Sequence, residues 1–190
     1  GVLGDKAGAP ALIAALEKTD VWDAGYGLTS HRESDNTFSE QDRIIIALGY
    51  SGAPEGLDPL VRKVRQLRPD SPVSHFVATV LALRHFARPQ GAAEPLSKLL
   101  SGPGFGGHAC TEAVDAQQRQ LAVREVATDK PDTNLNAAFK ELLVAGLLVQ
   151  CGDSQGAGRR VLEQYGNSVN GHFVRYARHV FHETQERRAT

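Results

Sequence analysis

The sequence lacks methionine entirely, and its 190 residues include one tryptophan and two cysteines. Two cysteines do not make a disulfide framework, so we expect free thiols at Cys110 and Cys151, with a bond between them as the open alternative. Basic and acidic residues balance at 21 and 22, so no strong field attracts nucleic acid or an acidic membrane. Neither a secretory signal nor an apolar run near the ~20 residues that span a bilayer is present, so we expect no membrane partner.

What the sequence does contain is a repeated pattern of helical hairpins. Each copy ends one apolar stretch, crosses a short turn rich in Gly, Ala and Pro, and enters a second apolar stretch. The copies cover residues 3–18, 48–67 and 83–102, with a weaker one at 150–167. Pro10, Pro59 and Pro95 stand near the start of each second stretch. Proline is tolerated in the first turn of a helix, where its missing N–H would have no partner, so each second stretch is predicted to be a helix.

Spacing and capping signals extend this prediction to the rest of the chain. Leu60, Val61 and Val64 recur at helical spacing, and Ser39 with Asp42 resembles a capping box before RIIIALGY. LNAAFKELLVAGLLVQ is apolar almost all round, which places it at the centre of an array. No segment shows the alternation of a strand. We therefore predict an all-α fold, a HEAT-like α-solenoid of about four to five stacked helical hairpins, as a single domain over residues 1–190.

The stretch SGPGFGGH contains a G-x-G-x-x-G pattern formed by Gly102, Gly104 and Gly107. A dinucleotide-binding turn of this kind follows a buried strand and opens a helix. Asp129 lies near the position of a ribose-binding acid, but the segment before Gly102 has helical periodicity and carries Lys98. We therefore predict that the chain binds no cofactor and that these glycines form a wide, flexible corner between two repeats.

Two histidine clusters have spacings that metal ligands also use, namely His108-x-Cys110 and His179-x-x-His182-Glu183. A zinc site needs three or four converging ligands, and no second pair completes either group, so no metal site is predicted. No nucleophile-elbow, zincin or P-loop motif occurs, and no catalytic residue is assigned.

A basic stripe on one predicted helix consists of Arg62, Lys63, Arg65 and Arg68. Helical-repeat proteins use such stripes to bind nucleic acid. The balanced net charge and the single tryptophan favour a solvated helix face instead, with a phosphate or an acidic peptide as open alternatives.

The segment VWDAGYGLTSHRESDNTF accounts for the extra length between the first two repeats. Long loops in compact arrays are often functional, and aromatic residues and arginine are enriched at interaction centres. The candidate interaction residues here are Trp22, Asp23, Tyr26, His31 and Arg32. The equally weighted alternative is that Trp22 and Tyr26 fold back over the first helix pair as local core.

Several of these segments also resemble regions of known protein families. LGDKAGAPALIAAL is similar to HEAT-like repeats of the phycobilisome-lyase type. WDAGYG, IIALGYSGAPEGLDPLVRKV, LVQCGDSQGAGRRVLEQY and GHFVRYARHV together resemble the C-terminal helical region of bacterial FAD-dependent oxidoreductases, over residues 3–180. The resemblance implies that FAD and the redox chemistry belong to an N-terminal domain, so that no catalytic or cofactor residue is carried over. It adds His172, Phe173 and Arg175 to the candidate interaction surface.

The first repeat lacks its opening helix, so we expect the array to continue or to dock on its N-terminal side as the C-terminal part of a larger protein. The predicted function is a non-catalytic accessory domain that packs on a flavin domain or recruits protein partners. The alternative is a freestanding scaffold that binds a protein or peptide in its concave groove, and an enzyme with a site of its own ranks third.

Overall fold

The helices of the chain lie in the segments for which the sequence predicted them. A computed structural model describes residues 6–25, 38–86, 89–115, 117–118 and 133–189. Its α-helices are α1 (Ala9–Glu17), α2 (Glu40–Ser51), α3 (Leu57–Val64), α4 (Val73–Leu83), α5 (Ala93–Leu100), α6 (Thr133–Cys151), α7 (Ala157–Gly166) and α8 (Gly171–Ala189). Within the described ranges no strand occurs, so the predicted all-α class is confirmed.

Local sequence signals explain where these helices begin. Short 3-10 turns precede α1, α3 and α5, and each of these helices carries its proline at the second or third position. At α2 the predicted capping box is present. Ser39 Oγ accepts a hydrogen bond from Asp42 N at 3.1 Å, and Asp42 Oδ2 accepts one from Ser39 N at 3.3 Å.

The helices pack in a regular order along the chain. Helix α2 packs on α4 and α4 packs on α6, whereas α1 packs on α2, α3 on α4, and α5 on α6. Helix α7 packs on α6, and α8 covers both α6 and α7. Helix α6 contacts α4, α5, α7 and α8, and its residues 141–148 include a run of buried side chains, so it lies at the centre of the packing as predicted.

A glycine lies where α2 and α4 meet. A Cβ on Gly49 of α2 would lie 2.2 Å from the Ala82 Cα of α4, far inside van der Waals contact. The two helices can therefore meet only because position 49 has no side chain. Among the described helices, none has the length and apolar character needed to cross a membrane.

Candidate functional site

The single tryptophan lies on a buried histidine. The Trp22 ring and the His75 ring of α4 have centroids 4.2 Å apart and planes inclined by 30°. His75 is 2% exposed, and its Nδ1 lies 2.8 Å from Oδ1 of the fully buried Asp42. Because a carboxylate only accepts hydrogen bonds, Nδ1 carries a ring proton and donates it to Asp42. Trp22 thus packs against the core, which is the local-core alternative for this residue.

Gln41 and Lys63 hold the segment that carries Trp22. Gln41 Nε2 donates to Thr19 Oγ1 at 2.9 Å and to Val21 O at 2.7 Å. Lys63 Nζ donates to Thr19 O at 3.1 Å and to Gln41 Oε1 at 2.9 Å, and lies 5.6 Å from the centre of the Trp22 ring. These bonds tie the chain before Trp22 to both α2 and α3.

The burial of Lys63 corrects the interpretation of the basic stripe. Lys63 is only 5% exposed, so it does not belong to a solvated helix face. Burial lowers the pKa of its ammonium group, and the charges of Asp20 and Asp23 act in the opposite direction. Arg62 forms an ion pair with Glu17 of α1. Arg68 lies 3.9 Å from Asp70, so three of the four stripe residues are paired within the chain.

The two carboxylate oxygens of Asp23 differ in their hydrogen bonding. Its Oδ2 accepts a hydrogen bond from Gln41 N at 3.2 Å, which places a negative charge at the N-terminal end of α2. Its Oδ1 is buried and has no hydrogen-bond partner. The other candidates of this loop, Tyr26, His31 and Arg32, lie outside the described residues.

A cleft of about 480 Å³ opens beside these residues, and we call it the Trp22 cleft. Its walls include Trp22, Asp23, Arg65, Gln66, Arg68 and His75. Within the part of the chain that the structure describes, Trp22 Nε1, Asp23 Oδ1 and Gln66 Oε1 are all buried without a hydrogen-bond partner. An unsatisfied buried polar group costs about 1–3 kcal/mol, so three around one cleft suggest a site that is completed by a ligand.

The Trp22 cleft continues on both sides along α3. A cleft of about 380 Å³ between α1 and α3 shares Asp20 and Gln66 with it. A cleft of about 550 Å³ between α3 and α5 shares Arg65 and includes Leu67 and Pro95 in its walls. We call the three together the α3 groove.

The glycine-rich corner binds an anion that belongs to the chain itself. Gly107 N and His108 N donate to Glu141 Oε1 and Oε2 at 2.8 and 2.9 Å, and Tyr165 Oη donates to Oε2 at 2.7 Å. Glu141 is 1% exposed on α6. Positive φ angles of 75° at Gly104 and 87° at Gly107 allow the turn to wrap around this carboxylate. The corner is therefore hydrogen-bonded to the core, in contrast to the flexible connection expected from its glycines.

The predicted interaction residues on α8 form a second group, which consists of His172, Phe173 and Arg175. His172 is exposed, and its Nδ1 lies 3.1 Å from an Arg175 guanidinium nitrogen. Phe173 packs edge-on against Tyr165 of α7, with ring centroids 5.5 Å apart. Among the described residues, no hydrogen bond or ring contact joins this group to Trp22 or Asp23.

The thiols and histidines have structural roles. Cys110 and Cys151 are both free, as predicted, and burial raises the pKa of Cys151 to about 12. His179 Nε2 lies 3.2 Å from Glu183 Oε1, and Arg84 of α4 donates to the same oxygen at 3.1 Å. No group of three His, Cys, Asp or Glu side chains within the described ranges could hold a metal ion.

Several residues of this site escaped sequence reasoning. His75 was not singled out, Asp42 was predicted only as a capping residue, and Glu141 stood without comment in a helix predicted from its apolar pattern. Charged residues inside apolar helical patterns, such as Glu141 in KELLVAGLL, are the signal that could have found them, because a buried charge requires a partner.

The chain was also compared with known proteins. No protein-family model, curated protein or solved structure matches it. The resemblance to HEAT-like repeats and to helical regions of flavoenzymes therefore stays a prediction from the residues that carry it.

Proposed function

We propose that the chain is a HEAT-like α-solenoid and that it acts as a non-catalytic accessory domain, which binds a protein partner along the α3 groove. The packing order supports the solenoid. Helices α2, α4 and α6 succeed one another, and α1, α3 and α5 each pack on a member of that series. In a solenoid each repeat contacts mainly its neighbours, and its extended surface binds partners.

The α3 groove is the observation that carries the proposal. Neighbouring clefts share wall residues, so the three lie next to one another along α3. Unmatched polar atoms cluster in its middle section beside an aromatic ring. An elongated groove of mixed polar and apolar character suits a polypeptide better than a compact small molecule.

The resemblance to helical regions of FAD-dependent oxidoreductases suggests a flavin-binding catalytic domain as the partner. In this proposal FAD is bound by the partner and not by this chain. The glycine-rich corner supports the assignment of FAD to the partner, because the N–H groups of Gly107 and His108 already donate to Glu141.

A freestanding scaffold is the second candidate function. The observation that favours it is the length of the groove, which runs past α1, α3 and α5 and would suit an extended peptide as well as a folded domain. The two candidate functions differ in the partner that binds, and both use the α3 groove.

Hydrogen exchange with and without the partner tests the proposal. The flavoenzyme to use is the one encoded in frame with this chain or in the adjacent gene. We expect slower exchange of backbone amides in α3 and in residues 19–23 when the flavin domain is present. No protection in the groove, or retention of FAD by this chain alone after gel filtration, would contradict the accessory function. Protection of the groove by a peptide but not by the flavin domain would establish the freestanding scaffold.

A pair of charge reversals sharpens this test. Arg65→Glu alters an exposed residue that lines two of the three clefts, and Arg178→Glu makes the same change on α8, away from the groove. We expect the first to weaken the complex at least about tenfold and the second to leave it unchanged. Equal effects would place the interface elsewhere.

A further inference from the structure

The unmatched atoms of the Trp22 cleft define what a ligand must offer. Trp22 Nε1 is a donor without an acceptor, whereas Asp23 Oδ1 and Gln66 Oε1 are acceptors without donors. His75 lines the same cleft, with its Nδ1 bonded to Asp42. A complementary ligand therefore supplies one carbonyl-type acceptor and at least two N–H or O–H donors.

Three common ligand chemistries can be compared with this requirement. An ammonium or guanidinium group has donors only and leaves the Trp22 indole N–H unmatched. A carboxylate or phosphate has acceptors only and leaves Asp23 and Gln66 unmatched. Successive peptide groups alternate C=O with N–H and meet both needs within one short extended segment.

We propose that the Trp22 cleft binds the main-chain peptide groups of an extended polypeptide segment. A carbonyl of the segment accepts from Trp22 Nε1, and its N–H groups donate to Asp23 Oδ1 and Gln66 Oε1. This inference rests on the proposed protein-binding function and names the chemistry by which the groove recognises its partner. These three atoms are themselves buried, so binding requires the half-buried side chains of Trp22, Asp23 and Gln66 to turn toward the segment.

Recognition through main-chain groups has a consequence for specificity. Every residue except proline offers the same C=O and N–H pair, so the Trp22 cleft fixes the path of the bound segment and not its sequence. Sequence preference then falls to the flanking clefts, where apolar Leu67 and Leu99 and charged Arg62 line the walls.

Titration with small probes tests the chemistry directly. The probes are N-methylacetamide, propylammonium chloride, sodium propionate and the capped tripeptide acetyl-Ala-Ala-Ala-N-methylamide. Because the chain has one tryptophan, its indole N–H gives a single cross-peak in a nitrogen–proton correlation spectrum. We expect saturable shifts of this peak with both amides, about tenfold tighter for the tripeptide, and no saturation with the two ions. Tighter binding of either ion would overturn the inference.

The two amide probes distinguish a main chain from a small amide ligand. If the tripeptide binds no more tightly than N-methylacetamide, the site takes an isolated amide and the inference is wrong. A tripeptide in which the central amide is replaced by an ester keeps the shape and loses one N–H. We expect it to bind about fivefold more weakly than the all-amide form.

Two glutamine substitutions provide a matched comparison. Gln66→Met removes one unmatched acceptor from the cleft, and Gln150→Met removes another buried unmatched carbonyl from α6, outside the cleft. We expect tripeptide binding to weaken about fivefold in Gln66→Met only, with both variants remaining helical by circular dichroism. Equal binding by both variants would contradict the role of Gln66.

Failure of this inference and failure of the proposed function can be told apart. Probe titration requires no partner protein, whereas hydrogen exchange in the complex requires no particular ligand chemistry. If the partner slows hydrogen exchange in the groove but the amide probes bind no better than the ions, main-chain recognition alone is refuted. If the amide probes bind selectively but the partner does not slow exchange in the groove, the accessory function alone is refuted.

Discussion

Asp42 joins two parts of the structure through one carboxylate. One oxygen accepts from Ser39 N and completes the capping box of α2, while the other accepts from His75 Nδ1 of α4. Both hydrogen bonds are shielded from solvent, because Asp42 is fully buried and His75 is nearly so. A buried carboxylate is tolerated only when its oxygens are matched in this way.

Replacement of Asp42 by alanine should therefore be strongly destabilising. The change removes the second half of the cap and leaves the His75 ring N–H without its partner, and we expect a loss of about 3 kcal/mol in the free energy of unfolding. Glu40→Ala alters an exposed acid in the same helical turn and should cost less than about 1 kcal/mol. Urea unfolding followed by circular dichroism measures both. Similar losses in the two variants would mean that the His75 bond contributes little.

Cys151 gives the free energy of unfolding a defined dependence on alkaline pH. Burial raises its pKa from 9.0 to about 12, so between these values the folded state keeps a proton that the unfolded state releases. The unfolded state then binds fewer protons, and stability falls as the pH rises, by up to ~1.4 kcal/mol per pH unit for this group.

The Cys151→Ala variant isolates this contribution. Between pH 9 and 10.5 we expect its stability to fall less steeply than that of the unsubstituted protein, whereas Cys110→Ala should retain the full slope. Tyr176, whose pKa is also raised to about 12 by burial, acts in the same direction in all three proteins and cancels from the comparison. Parallel pH curves for Cys151→Ala and the unsubstituted protein would show that burial does not raise the pKa of this thiol in the folded state.

At the scale of elements, Glu141 connects α6 to the corner that follows α5. Glu141→Gln keeps the shape but replaces one acceptor oxygen by a donor, so either His108 N or Gly107 N loses its partner. We expect a loss of about 2 kcal/mol and faster hydrogen exchange at residues 105–108. Glu163→Gln, the same change on the exposed face of α7, should have little effect. Unchanged exchange in the corner would show that Glu141 does not hold it.

Local signals were sufficient to predict most elements. Pro10, Pro59 and Pro95 marked three helix starts, and the pair of Ser39 and Asp42 marked a fourth, because capping acts within one turn of the chain. Helix α4 begins at Val73 after Pro72 as its N-cap, close to the expected start at Ser71.

The site was less predictable because its contacts join distant segments. Glu141 meets a backbone 34 residues away, and His75 meets Asp42 33 residues away. Helical periodicity placed Lys63 on a polar face since it contains no information about residues 19–23, which cover that side of α3. Trp22 and Asp23 were found from composition alone, whereas their unmatched atoms depend on how the segment packs.

At the scale of the whole molecule, the proposed solenoid predicts a particular pattern of partial unfolding. A chain whose helices contact mainly their neighbours can lose structure at one end while the other end remains folded. A domain with one shared core opens all its elements together. Gly49 lies where α2 meets α4, and a perturbation there tests which description applies.

Gly49→Ala should destabilise the protein by about 3 kcal/mol, because its Cβ would overlap the backbone of Ala82. Gly166→Ala places the same methyl group in open space at the end of α7 and should change stability by about 0.5 kcal/mol at most. Native-state hydrogen exchange then locates the effect of the first substitution. For a solenoid we expect protection to fall in α1 to α4 and to persist in α6 to α8, whose contacts with one another do not involve Gly49. An equal loss of protection in every helix would show a single cooperative core and would overturn the solenoid, since the damage at one interface would then reach all the others.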